Sequence, residues 1–181
     1  MSRLAPKGAR ISVLYPAEEI AARVRELASD IVRSLGTEPL VVPILKGSFI
    51  FAADLLRALH EAGAEPDMDF ITLSSYGKGT RSLGDVTIVR DTEAAIAGRD
   101  VLIVDDILES GRTLAFAKDL LAARGAQRVM TCVLLNKPGK LAVDAKADFT
   151  GFDCPDRFVV GYGMDVAHAY RQLPFVGYIE R

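Results

Sequence analysis

The sequence predicts an α/β fold: a mostly parallel β-sheet flanked by helices, with a small C-terminal β-containing hood. Three observations predict it. Between residues 40 and 135 short apolar runs alternate with amphipathic stretches, the order that builds parallel strands joined by crossover helices. Residues 101–104, Val-Leu-Ile-Val, form a continuous apolar run rather than an alternating one, as in a strand covered on both faces. After Asn136-Lys137-Pro138-Gly139 the pattern changes to short β pieces separated by turns that carry Pro and Gly.

Taken in order, residues 16–36 read as a helix. Ile20, Val24, Leu27, Ile31 and Leu35 recur at three- and four-residue steps, Pro16 suits the first turn and Gly36 the stop. Residues 40–45 form a buried-type strand, although Pro43 cannot donate to a ladder and points to an edge or a bulge. Lys46-Gly47-Ser48 is a turn with Ser48 as N-cap, and a helix over about 49–60 follows, closed by Gly63. Residues 69–75 and 86–90 read as strands bridged by a Gly-rich polar loop over 76–84. Strand 101–104 leads to a helix over about 111–124, stopped by Gly125, and 129–135 is the next buried strand, with Cys132 inside it. The hood pieces are 148–152, 158–162 and 175–179.

A chain of 181 residues fits a single domain, with a core over about 16–136 and a hood over about 137–181 to which the N-terminal segment can contribute. Hydrophobic residues make up 50% and charged residues 25%, which supports a buried core and argues against wholesale disorder. The formal charge of -2 leaves no excess of Lys and Arg for a polyphosphate backbone, so nucleic acid is not an expected partner. A small anion remains open, because a helix N-terminus and a few cations suffice to hold it. Cys132 and Cys154 lie far apart without C-x-x-C spacing, which argues against both a disulfide framework and a zinc site. No apolar run has signal-peptide or membrane-span length, and a cytoplasmic location is expected.

The chemistry concentrates at 101–114, Val-Leu-Ile-Val-Asp-Asp-Ile-Leu-Glu-Ser-Gly-Arg-Thr-Leu. In an open parallel sheet, ligands collect beyond the C-terminal strand ends, where a loop meets a helix N-terminus. Asp105 and Asp106 arrive there side by side, and two adjacent carboxylates need hydroxyls, a cation or water as partners. Gly111 permits a tight backbone path, Ser110 and Thr113 offer hydroxyls, and the helix N-terminus suits a phosphate dianion. The spacing matches neither a Walker A loop nor G-x-G-x-x-G. An isolated Asp-Asp is most often ordinary turn chemistry. Here the apolar strand, the acidic pair, Glu109 and the Ser-Gly-x-Thr turn coincide within one short segment, which favours a site.

Residues 101–114 resemble the phosphoribosyl pyrophosphate motif of the type I phosphoribosyltransferases. The chain from about 40 to 179 further resembles the hypoxanthine-guanine branch in its bacterial form. The likeness includes Leu45-Lys46-Gly47, Ser75-Tyr76-Gly77, Lys137-Pro138 and the stretch Gly151-Phe-Asp-Cys-Pro-Asp-Arg-Phe-Val-Val-Gly-Tyr-Gly-Met-Asp165. The resemblance implies that Asp105 and Asp106 hold the ribose hydroxyls, while Glu109, Ser110, Gly111, Arg112 and Thr113 surround the 5′-phosphate. It implies that Lys46, Gly47 and Arg171 take the pyrophosphate, with a cis Leu45–Lys46 peptide, and that Ser75 and Tyr76 head a flexible loop that closes over the site. By the same resemblance Lys137 would contact the exocyclic oxygen of a 6-oxopurine, Phe158 would stack on the ring and the backbone of Val159 would read its edge. Mg²⁺ is the implied cofactor, with Asp165, Asp105 and Asp106 as its carboxylates. The catalytic set that the resemblance implies is Glu109, Lys137 and Arg171, with Glu109 as base.

The family more often has Asp where this chain has Glu109. Without the likeness, Lys137 reads as a solvated turn lysine, Phe158 as a core strand residue and Asp165 as a helix cap. His60 and His168 show no metal spacing. The expected activity is purine salvage: transfer of the phosphoribosyl group from phosphoribosyl pyrophosphate to hypoxanthine and guanine, giving IMP or GMP and pyrophosphate. The competing class is an RNA-binding regulator of the pyrimidine-attenuation type on the same fold, or an enzyme for another base. A homodimer or homotetramer is expected from the apolar Phe49-Ile50-Phe51 helix and from the assembly of relatives.

Overall fold

The structure is a computed structural model and describes residues 9–75 and 86–180. Its strands are β1 (Ile11–Tyr15), β2 (Leu40–Leu45), β3 (Asp67–Met68), β4 (Ile71–Ser75), β5 (Val86–Arg90), β6 (Asp100–Leu108), β7 (Arg128–Asn136), β8 (Phe149–Asp153), β9 (Val159–Val160) and β10 (Val176–Ile179). The helices are α1 (Ala17–Leu35), α2 (Phe49–Glu61) and α3 (Arg112–Ala123). A seven-stranded sheet runs β5-β4-β2-β6-β7-β8, with β3 added on β2. Every pair in it is parallel except β4 with β5.

The continuous apolar runs are explained by burial on both sheet faces. Along β6, Leu102 and Val104 join the core under α1 and α2, whereas Val101 and Ile103 join the core under α3. Val41, Cys132 and Leu134 face the first core, and Val42, Ile44 and Val133 face the second. With a side-chain period of two and both faces covered, a polar residue in such a strand needs a partner of its own, as Thr131 of β7 has in Asp148. The periodic stripe of α1, Ile20, Val24, Leu27, Ile31 and Leu35, is buried against the first face as its spacing predicts. Burial pushes the Cys132 thiol well above its ordinary proton affinity.

Pro43 does not lie on an edge. It sits in β2, between β6 on one side and β3 and β4 on the other, and is paired in register with Val104. On the second flank β3 pairs at Leu40 and Val41, and β4 at Ile44 and Leu45. Pro43 falls where the partner changes, an interruption that a residue without an N–H tolerates. Ser48 also departs from expectation. Its backbone is already helical at φ -75° and ψ -7°, and its buried hydroxyl donates back to the Ile44 carbonyl at 2.5 Å instead of capping α2. An N-cap hydroxyl reaches forward only from an extended backbone.

A separate three-stranded antiparallel sheet, β1-β10-β9, forms the hood, whereas the 148–152 piece, expected in the hood, forms β8 of the main sheet because it pairs in parallel with the edge of β7. The first strand of the hood comes from the N-terminal segment, pairing Ile11 with Ile179 and Val13 with Gly177. β6 runs through the acidic pair to Leu108 rather than stopping at Val104. Among the described residues, no helix is long and apolar enough to cross a membrane. The loop expected to close over the site lies outside the described residues, apart from the Ser75 backbone at the end of β4.

Candidate active site

The C-terminal end of β6 is the centre of the site. One cleft of about 290 Å³ is lined by Lys46 and Gly47 from the β2–α2 turn and by Asp105, Asp106, Glu109, Ser110, Gly111 and Thr113. The residues expected to bind ribose and its phosphate are thus beside the pair expected to bind pyrophosphate. Arg112 opens α3 without lining the cleft.

Asp105 is buried, and its side chain accepts from the Asp106 amide at 3.0 Å. Asp106 in turn accepts from the Ile107 amide at 2.9 Å. Burial first, and the neighbouring Asp106 charge second, hold the Asp105 carboxyl well above the usual carboxylate range. Burial also raises Asp106, opposed by hydrogen bonds from Asp105 and the backbone and by the Arg171 guanidinium. Two adjacent carboxylates, one buried and one partly buried, cannot both ionise without cost. The pair is therefore suited to donating to or accepting from ligand hydroxyls, or to facing a cation.

Gly47 lies flat on Asp106. A Cβ there would stand 1.8 Å from Asp106 Oδ2, so no side chain fits. The Leu45–Lys46 peptide that carries this turn is cis. Gly111 adopts φ 79°, a left-handed conformation that favours glycine, and its Cβ position is closed by Ala145 at 2.7 Å. Ser110 Oγ accepts from the Arg112 amide at 3.4 Å, and the Ser110 carbonyl accepts from Ala142 N at 2.9 Å. The phosphate-type turn is thus backed by the segment that follows Lys137.

Lys137 is a buried cation, not a solvated turn residue. Only 5% of it is exposed, and its Nζ lies 3.2 Å from Glu109 Oε1. Its backbone N–H donates to Leu108 O at 2.9 Å, which extends the β6–β7 pairing by one residue. Lys140 stands 3.8 Å from the same Glu109 oxygen. Phe158 is 60% exposed and precedes β9, so it is not a core residue, whereas Val159 is buried within β9.

Asp165 and Arg171 pair with each other at 2.7 Å. The second Asp165 oxygen accepts from His168 N at 2.7 Å in a turn, with no helix after it. Arg171 also donates to Gly163 O at 2.6 Å, and a Cβ on Gly163 would stand 2.2 Å from Gly47 O. This close approach is the link between the hood and the Lys46-Gly47 turn. Tyr162 strengthens it, its hydroxyl donating to Asp54 Oδ2 of α2 at 2.6 Å. Among the described residues, no three His, Cys, Asp or Glu side chains gather as a closed metal site. Asp105, Asp106 and Asp165 offer only oxygen donors, which suits a hard divalent cation that takes its remaining ligands from phosphates and water.

Sequence reasoning located the acidic pair, the phosphate turn and Lys46-Gly47, but passed over Lys140, Asp156, Tyr162 and Gly163. The Gly161-x-Gly163 spacing was the available signal for the last of these.

Residues 11–167 match the phosphoribosyl transferase domain family. The chain is 44% identical to the hypoxanthine phosphoribosyltransferase of Salmonella typhimurium over 92% of this chain and 94% of that protein. It is 42% identical to the hypoxanthine-guanine phosphoribosyltransferase of Bacillus subtilis, over 93% of this chain and 92% of that one. Among solved structures, a hypoxanthine-guanine phosphoribosyltransferase from Bacillus anthracis superposes with a TM-score of 0.87 at 41% identity, covering 94% of this chain and 100% of the other.

Proposed function

The chain belongs to the phosphoribosyl transferase family, and from that premise we infer that it transfers the 5-phosphoribosyl group from phosphoribosyl pyrophosphate to hypoxanthine, a purine-salvage reaction. The observation that carries the inference is the convergence of the acidic pair, the Ser110-Gly111 turn and Lys46-Gly47 on one cleft, with Gly47 flush against Asp106. Guanine is a second expected base, as the name of the Bacillus subtilis relative suggests for that protein.

In this reading Asp105 and Asp106 receive the ribose 2′- and 3′-hydroxyls, for which their burial and raised proton affinity suit them. The turn from Glu109 through Arg112 to Thr113, at the start of α3, surrounds the 5′-phosphate. Lys46, the Gly47 backbone and Arg171 hold the pyrophosphate. Purine N9 bonds to C1′ as the C1′–oxygen bond to pyrophosphate breaks, with inversion. The proton on purine N7 passes to Glu109, while Lys137 faces the exocyclic oxygen and stabilises charge building on the base. Phe158 stacks on the ring, and the Val159 backbone meets its edge.

Mg²⁺ would draw on the carboxylates of Asp165, Asp105 and Asp106, which offer oxygen donors without forming a closed site, and would supply neutralisation of the pyrophosphate charge. The Asp165–Arg171 pair keeps both groups beside Gly163 and hence beside the pyrophosphate turn. We read the chain as one domain, with core and hood joined at this point, acting in the cytoplasm. A homodimer or homotetramer is expected. Phe51 is buried and Ile50 packs partly on the core, so of that helix start only Phe49 offers an exposed apolar ring to a partner copy.

A coupled assay with phosphoribosyl pyrophosphate, Mg²⁺ and hypoxanthine, guanine, xanthine or adenine tests the function. Turnover with 6-oxopurines and not adenine is expected. Tight RNA binding without purine turnover would replace this function by that of a regulator.

A further inference from the structure

We propose that Lys140 is a positioning residue for the base half of the site, a role that rests on the function proposed above. Its Nζ lies 2.6 Å from Asp156 Oδ1 and 3.8 Å from Glu109 Oε1. One ammonium group therefore joins the turn after β6 to the turn that leads into Phe158 and Val159. No other ion pair between described residues spans these two turns on the solvent side of Glu109.

The path of the backbone explains how Lys140 arrives there. Lys137 N donates to Leu108 O, and Ala142 N and Val143 N both donate to Ser110 O, so the segment is pinned at each end to the turn that carries Glu109. Between the pins Gly139 takes φ 91°, which turns the chain back and brings a second lysine to the carboxylate that Lys137 already faces. Lys137 approaches from the interior, its side chain 7% exposed, and Lys140 from solvent at 41%. Asp156 and then Glu109 hold the Lys140 ammonium more firmly protonated than a free lysine.

An ion pair this exposed contributes little to stability, so its consequence is geometric. Because the segment is held by its own backbone, loss of the Lys140 side chain leaves that segment in place. What it releases is the Asp156 side chain, which loosens the setting of Phe158 relative to Glu109 in a turn otherwise held by Arg157 over the Tyr178 ring and by the pairing of Val159 with Tyr178. Base binding should suffer, whereas the pyrophosphate turn, which lies against Asp106 and Gly163, should not.

Steady-state kinetics with hypoxanthine and phosphoribosyl pyrophosphate test this on the wild type, Lys140→Met, Lys140→Arg, Asp156→Asn and the Lys140→Met/Asp156→Asn double variant, with thermal melting alongside. Lys140→Met is expected to raise the hypoxanthine KM roughly three- to tenfold, since small displacements of a bound reactant carry large kinetic effects. The KM for phosphoribosyl pyrophosphate should stay within about twofold and melting should not move. Lys140→Arg should restore the wild-type hypoxanthine KM, Asp156→Asn should match Lys140→Met, and the double variant should be no worse than either. An unchanged hypoxanthine KM in Lys140→Met, equal rises in both KM values, or additive losses in the double variant would overturn the proposal. A wild type inactive on every 6-oxopurine would instead overturn the functional reading, and this proposal with it.

Discussion

Glu109 and Lys137 are the first residues beyond the paired ends of β6 and β7, and their charged groups meet at 3.2 Å. The register makes the meeting unavoidable: Leu108 pairs with Asn136, and Lys137 N donates to Leu108 O. The group assigned to proton transfer is thus tied to the group assigned to the purine oxygen before any base arrives. In the proposed function a bound 6-oxopurine would give Lys137 a second acceptor and Glu109 a donor, so base binding would exchange one set of charge-assisted contacts for another.

Glu109→Gln should lower kcat by ~10²–10⁴, the usual consequence of losing a general base, with little change in the KM for phosphoribosyl pyrophosphate. Steady-state rates measure this, and unchanged turnover removes Glu109 from proton transfer.

Lys137→Met should cut kcat/KM for hypoxanthine by about 10²-fold, because the base oxygen then enters a position with no donor. Glu109 keeps Lys140 nearby and has a side chain 48% exposed, so the melting temperature should change little. Retained discrimination between hypoxanthine and adenine in this variant would contradict the role.

Gly47→Ala places a methyl group at 1.8 Å from Asp106 Oδ2, far inside contact distance. The turn or the carboxylate must move, at a cost of about 1–3 kcal/mol typical of overpacking. A raised KM for phosphoribosyl pyrophosphate with an unchanged hypoxanthine KM is expected; the opposite pattern would detach this turn from the pyrophosphate.

The pH dependence of ligand-free stability follows from Asp105. Its folded carboxyl holds its proton above the ordinary carboxylate range, so between the unfolded and folded pKa values the native state binds more protons than the unfolded state. Stability therefore falls as pH rises through that window, and the full penalty is present above the folded pKa. Asp105→Asn should raise Tm at neutral pH, by roughly 2–4 °C for each kcal/mol recovered. The gain should vanish as the pH is brought below the unfolded carboxylate range. Melting curves across pH decide the matter, and a gain that grows in acid would reverse the sign assigned here.

Local pattern was sufficient for the strands under both sheet faces, for α1, and for the segment from Asp105 to Thr113, because each is decided by residues close together in the chain. A continuous run such as 101–104 is incompatible with an exposed face whatever surrounds it, and a Ser-Gly-x-Thr turn before a helix carries its amides with it. The family likeness extended this to Lys46-Gly47 and to the residues assigned to the base. Other features depend on partners far along the chain. β1 is a strand because β10, more than 160 residues later, offers it an edge. Pro43 is tolerated in an inner strand because two different strands share its flank. The contact of Gly163 with Gly47, the Glu109–Lys137 pair and the Lys140–Asp156 bridge likewise exist only once sheet register has set distant segments side by side. The sequence by itself determined that an acidic pair and a Ser-Gly turn stand together at the end of one strand; the tertiary structure decided which other groups they touch, since hydrogen bonds and ion pairs form over a few ångströms in space and carry no fixed spacing along the chain.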